Sequence, residues 1–194
     1  MRGFYFLTFL FFFTFVPAAP TNKWPKIDFE IKNIYEKTVK WGTDKNGSLV
    51  VFVSEHCPYD LDWLDRISQI GQWAIKNNFF VYVINPYNNQ IFEQNNLNSM
   101  KKRIENWNKS IEYIWDPEQI ITKQFKPQRT PVAYLFNADK ARVYYGLIDD
   151  QVESEQKTKT QYLQQALNNL VNSKPITHAM IQPIGCLISN KEEK

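Results

Sequence analysis

The stretch Leu49-Val50-Val51-Phe52-Val53-Ser54-Glu55-His56-Cys57-Pro58-Tyr59-Asp60 constrains this chain more than any other. It opens as an apolar, β-branched run, the pattern of a buried strand. The run breaks at Ser54 to His56, and a helical pattern begins at Leu61. Pro58 suits the first turn of that helix, where its missing N–H costs nothing. Cys57 therefore falls at a strand-to-helix turn, beside the positive end of a helix dipole, a placement that favours the thiolate. Two readings follow from these residues: a nucleophile, or a small buried hydrophobe that packs.

The rest of the chain alternates in the same way. Residues 61–77 place Trp63, Ile67, Ile70 and Ala74 on one helical stripe, with Leu64 beside it. Residues 79–84 form a second buried strand, and the Asn-rich stretch 85–98 is expected as a solvated surface connection. A short helix is expected over 100–107 and a strand over 111–115. Asp116-Pro117 then supplies an N-cap and an N1 proline for a helix reaching about Phe125. Thr130-Pro131 precedes a strand over 132–136, a turn at 137–140 and a return strand over 142–148. A last amphipathic helix, 160–171, turns Leu163, Ala166, Leu167, Leu170 and Val171 inward. Upstream, Ile31, Ile34, Tyr35 and Val39 point to a short helix within 28–41.

The N-terminus has the makings of an export signal. Arg2 precedes an apolar run rich in Phe11, Phe12, Phe13 and Phe15, and small residues follow in Val16-Pro17-Ala18-Ala19. The run is short for a bilayer span. The expected division is a signal over 1–19, an N-terminal extension over 20–47, a single domain over 48–172 and a tail over 173–194. Cleavage would leave a protein in an oxidising compartment: secreted, periplasmic or in an endomembrane lumen. There its two cysteines, Cys57 and Cys186, can pair.

Several functions find no support. Formal net charge is +3, with both signs spread along the chain and no basic stripe for nucleic acid. None of the six glycines sits in a phosphate-cradling loop. His56 and His178 lack metal-ligand spacing with the cysteines. No nucleophile elbow or glycosidase carboxylate pair is present. No cofactor, no metal, no nucleic acid and, after signal removal, no membrane partner is expected.

From about Ser48 to Ser189 the chain resembles the thioredoxin-like, peroxiredoxin-like redoxins, the alkyl hydroperoxide reductase and thiol-specific antioxidant group. The matching residues are His56-Cys57-Pro58-Tyr59, Thr130-Pro131, Tyr145-Gly146-Leu147-Ile148-Asp149-Asp150 and Ile184-Gly185-Cys186-Leu187-Ile188, in that order. The resemblance implies an α/β fold with a central mixed sheet flanked by helices. It also implies a reactive thiol at Cys57 and a cis bond at Pro131 facing it. Catalysis would use Cys57 as nucleophile and Cys186 as resolving thiol. Pro58, Tyr59, Thr130 and Pro131 would bind substrate, with Thr130 offering main-chain hydrogen bonds to an extended segment and Trp63 helping to shape the site. Ser54, His56 and Arg129 would modulate it: a protonated His56 favours a thiolate, while a close Asp60 opposes it. The partners implied are a disulfide-containing protein or a peroxide, and a thiol electron donor.

The chain also departs from the pattern of these families. Asp60 stands where a thioredoxin has its second cysteine, and Val50 and Ser54 stand where a typical peroxiredoxin has Pro and Thr. The alternative is a binding module that keeps the fold and uses Cys57–Cys186 as a staple. Closing so long a loop contributes about 5 kcal/mol in the chain-entropy account. Gly185 would let the tail backbone approach the Cys57 turn closely.

Overall fold

A computed structural model describes residues 21–42, 45–152 and 155–189. The expected export signal and its cleavage site lie outside the described residues. Strands β1 (Gly47–Phe52), β2 (Phe80–Asn85) and β3 (Ile111–Trp115) run parallel, with β2 between the other two. On the other side of β1, β5 (Val132–Asn137) and then β6 (Arg142–Gly146) add antiparallel, giving the order β3-β2-β1-β5-β6. The expected mixed sheet is therefore present.

Alternation along the strands divides the core into two layers. Leu49, Val51 and Val53 face α1 (Pro58–Lys76) and α4 (Tyr162–Val171), packing with Trp63, Ile67, Leu163 and Leu167. Val50 and Phe52 face the opposite side, with Tyr134, Phe136 and Phe125 of α3 (Ile120–Phe125). The upstream segment closes that second side: the rings of Trp24 and Trp41 lie 4.6 Å apart, and Trp41 lies 4.7 Å from Tyr82. Burying each large apolar side chain here contributes about 2 kcal/mol.

The structure corrects several sequence expectations. Residues 28–41 form no helix. Val39 N–H bonds to Ile31 O (2.8 Å), Asn33 Oδ1 accepts from the amides of Tyr35 and Lys37, and Ile34 N–H bonds to Tyr113 O of β3 (2.8 Å). The apolar spacing therefore serves a tight loop docked on the sheet edge. The helix expected from Asp116 starts four residues later. Asp116 still caps it, accepting from the amides of Ile120 and Thr122, while Gln119 takes a left-handed conformation (φ 57°) in between. The return strand stops at Gly146, short of 148. The helix expected over 100–107 is α2 (Leu97–Arg103). Val171 is 37% exposed rather than inward, because α4 ends there.

The 173–189 tail first runs along β6, with Tyr145 N–H bonded to Ala179 O and Ile181 N–H to Tyr145 O, both 2.9 Å. It then crosses to form β7 (Cys186–Leu187), paired antiparallel with β4 (Arg129–Thr130). That small second sheet sits beside the Cys57 turn.

Candidate active site at the Cys57 turn

β1 delivers the chain to the site and α1 carries it away. Sheet pairing continues one residue past β1, through Val53 N–H to Ile84 O (2.9 Å). The next three residues are each fixed by a different neighbour. Ser54 donates both its N–H (2.8 Å) and its hydroxyl (2.7 Å) to Asp60 Oδ2. Glu55 is buried, and its carboxylate accepts from Tyr113 OH (2.7 Å) and Arg103 Nε (3.2 Å). Glu55 N–H donates to Asn95 Oδ1 (2.9 Å). That main-chain donor fixes the Asn95 amide, so its Nδ2 faces His56 Nδ1 (3.0 Å), which must then accept.

His56 stacks on Phe92, centroids 3.7 Å apart, and meets the Tyr87 ring edge-on at 4.6 Å. Partial burial lowers its pKa, opposed by the Asn95 hydrogen bond, so the ring is held neutral with Nε2 carrying the proton. Support for a thiolate at Cys57 therefore falls to the helix end rather than to an imidazolium.

Cys57 is the N-cap of the 19-residue α1, in an extended conformation, with Pro58 in the first turn as expected. It is fully buried. Its N–H donates to Ser54 Oγ (3.2 Å), and its Sγ lies 3.6 Å from Thr130 O. It is disulfide-bonded to Cys186 across 129 positions, with Cα atoms 6.0 Å apart, inside the range a bridge needs. The Thr130–Pro131 bond is cis.

Asp60 lies beneath the turn with no exposed surface. Burial pushes its carboxyl up to about 8, against the hydrogen bonds from Ser54. Its second oxygen, Oδ1, has no hydrogen-bond partner. The acid that replaces the second thioredoxin cysteine is thus a neutral, buried carboxyl over most of the physiological range.

The remaining expected site residues separate into two groups. Thr130 and Pro131 are buried beside the disulfide, and Thr130 Oγ1 lies 3.4 Å from Ser54 Oγ. Pro58 and Tyr59 are exposed on the first turn of α1. Arg129 does not turn to Cys57: its Nη1 donates to Gly185 O (2.6 Å) and clamps the tail. Trp63, expected to shape the site, is instead inside the core, its indole N–H bonded to Asp149 Oδ1 (2.9 Å).

Sequence reasoning missed Glu55, Tyr87, Phe92, Asn95 and Gln119. The Asn-rich stretch 85–98 is not a solvated connection, since Asn85, Asn88 and Asn95 are all buried. These amides satisfy main-chain groups of an irregular loop packed over the turn, and such a loop has no periodicity to betray it.

Neither a protein-family model nor a curated protein matches the chain. Solved structures do. An uncharacterized conserved protein of Geobacillus kaustophilus is 21% identical over 93% of this chain and 96% of its own, with a TM-score of 0.79. A secreted disulfide oxidoreductase of Mycobacterium tuberculosis is 12% identical over 75% of this chain and 95% of its own (TM-score 0.54). A thioredoxin-like protein of Aeropyrum pernix is 12% identical over 75% of this chain and 88% of its own (TM-score 0.52). At these identities the likeness is one of fold, and the fold is thioredoxin-like.

Proposed function

We propose that this protein is an exported thiol–disulfide oxidoreductase that works through Cys57 and Cys186. The observation that carries the reading is the bond between the N-cap cysteine of α1 and a cysteine held in a strand beside Thr130. In the reduced protein the Cys57 thiolate attacks one sulfur of a substrate disulfide and expels the other as thiolate. The Cys186 thiolate then attacks Cys57 Sγ, closes the internal disulfide and releases the substrate as two thiols. Two electrons pass to the substrate, and an external thiol donor restores the reduced pair. That donor reaches Cys186, which is partly exposed, rather than the buried Cys57, so Cys57 leaves as the thiolate its helix end favours. The solved secreted disulfide oxidoreductase supports the chemistry and the compartment by analogy of fold.

A peroxiredoxin-like reaction, in which Cys57 would become a sulfenic acid that Cys186 condenses with loss of water, is the weaker variant. Ser54, in the place of the peroxiredoxin threonine, already spends its hydroxyl proton on Asp60. The complete burial of Cys57 favours a second reading, the binding module with a structural staple.

One experiment separates the three. The reduced protein is reacted with a mixed disulfide and, separately, with hydrogen peroxide, and Cys57 is alkylated at graded pH with the site read by mass spectrometry. The oxidoreductase reading expects Cys57 to label first at low pH and the disulfide to react faster than the peroxide. Faster reaction with peroxide assigns a peroxidase. Labelling no faster than a free thiol of pKa about 8.5 leaves the module.

A further inference from the structure

Upstream, Ile176 and Ile181 pack the tail against the core, but its end, residues 185–189, is held almost throughout by main-chain groups. Thr130 pairs with Cys186 and Arg129 with Leu187, and Ile188 N–H donates to Gln128 O (2.9 Å). The side chains that grip the tail also choose carbonyls: Arg129 takes Gly185 O, Tyr87 OH takes Leu187 O (2.8 Å) and Gln119 Nε2 takes Ser189 O (2.9 Å). Outward, Ile184 and Leu187 are 43% and 66% exposed. Capture through main chain, with side chains left free, is how a sheet edge receives a foreign strand.

Along the described 184–189 end of the tail, two positions are constrained by the residue itself. One is Cys186. The other is Gly185, at φ +131°, where a Cβ would stand 2.0 Å from Thr130 O and 3.3 Å from Pro131 Cδ. The obstruction is backbone, and the backbone angle itself excludes ordinary side chains.

We propose that the tail is a tethered stand-in for the substrate: once its disulfide is reduced it leaves, and the Gln128–Thr130 edge receives an extended protein segment in which glycine precedes the attacked cysteine. The inference rests on the oxidoreductase reading and adds a substrate class and a gate to it. Oxidised, the protein fills its own site. Reduced, it exposes Cys57 together with the carbonyl-seeking groups of Arg129, Tyr87 and Gln119. Substrate and tail then compete for one edge, so resolution by Cys186 requires the substrate strand to peel away while its sulfur is still bonded to Cys57.

The test uses the full chain carrying Cys186→Ser, or Cys186→Ala where the serine variant does not fold. Two peptides, Ile-Gly-Cys-Leu-Ile-Ser and Ile-Ala-Cys-Leu-Ile-Ser, are each activated as the mixed disulfide with thionitrobenzoate. The Cys57 thiolate attacks the peptide sulfur, forming the Cys57–peptide disulfide and expelling thionitrobenzoate, whose absorbance gives the rate. The glycine peptide is expected to react at least about tenfold faster than the alanine peptide, the scale on which one misfitting methyl is rejected. Equal rates overturn the proposal. So does a protein that reacts with dithionitrobenzoate itself but with neither peptide. A protein inert to dithionitrobenzoate as well fails at the oxidoreductase reading beneath it.

Discussion

β1 leads into the Cys57 turn and β7 carries Cys186, so both serve one disulfide, yet they are held in opposite ways. β1 pairs on both sides, and every one of its residues is buried. β7 pairs on one side with a two-residue strand, and Leu187 stands mostly in solvent. The first is fixed by side-chain burial, the second by main-chain bonds, three polar clamps and one covalent bond. Such elements open at very different free energies within one native state. The disulfide between them has a buried strand as its floor and a cover that, on the proposed reading, reduction removes.

The largest expected effect comes from cutting the covalent bond. Cys186→Ser should lower stability to urea by up to about 5 kcal/mol, through the freed unfolded chain. The comparison predicts a second, local result. In that variant the amides of residue 186 and Ile188, which face β4 in the native pairing, should exchange with solvent almost freely, while those of Val51 and Val83 keep protection set by global unfolding. Protection retained at residue 186 and Ile188 would break the contrast, because the tail would then be bound without its disulfide.

The next largest effect lies on the rigid side. Arg66 and Asp149 form a buried ion pair (2.5 Å), with Arg66 also donating to Gln151 O and Asp149 also receiving the Trp63 indole. Asp149→Ala strands the Arg66 charge and should cost about 3–5 kcal/mol of global stability. With the disulfide intact, the tail amides should lose no more protection than the rest of the molecule.

What the sequence revealed follows the same division. The apolar run at Leu49 to Val53 and the stripe through Trp63 and Ile67 were legible because burial imposes a period. The cis bond at Thr130-Pro131 and the pairing of Cys57 with Cys186 were legible from the family resemblance, the pairing also from an oxidising compartment. The loop carrying Tyr87, Phe92 and Asn95 was not, because its residues answer to single main-chain groups rather than to a repeating face. Arg129 was identified as a neighbour of the site but with the wrong partner: its position beside Thr130 says nothing about a tail arriving from 56 residues away. The helix inferred within 28–41 failed for a related reason, since Ile31, Ile34 and Val39 are buried from a loop at nearly helical spacing.

Asp60 gives a mid-sized effect that sharpens the contrast by pH. Its carboxyl sits at about 8 in the fold against an ordinary 3.8. The folded state therefore binds the extra proton between those values, so the contribution of Asp60 to stability is fully present below about 4 and falls as pH rises towards 8. Between pH 5 and 7 the loss is on the order of 2 kcal/mol, read as a falling urea midpoint. Asp60→Asn keeps an acceptor for Ser54 and should flatten that slope. A slope that persists in the variant would place the titrating group elsewhere.

The smallest effect isolates the cover. Tyr87→Phe keeps the ring against His56 and Phe92 and removes only the hydroxyl that holds Leu187 O. Water can take its place at an exposed carbonyl, so the loss is about 0.5–1 kcal/mol. It falls on the oxidised form alone if the tail leaves on reduction. The Cys57–Cys186 couple should then become easier to reduce, by roughly 10–20 mV at equilibrium with a dithiol buffer. The urea midpoint of the fully reduced protein should not move. If it does move, Tyr87 still holds the tail after reduction, and the cover is part of the floor.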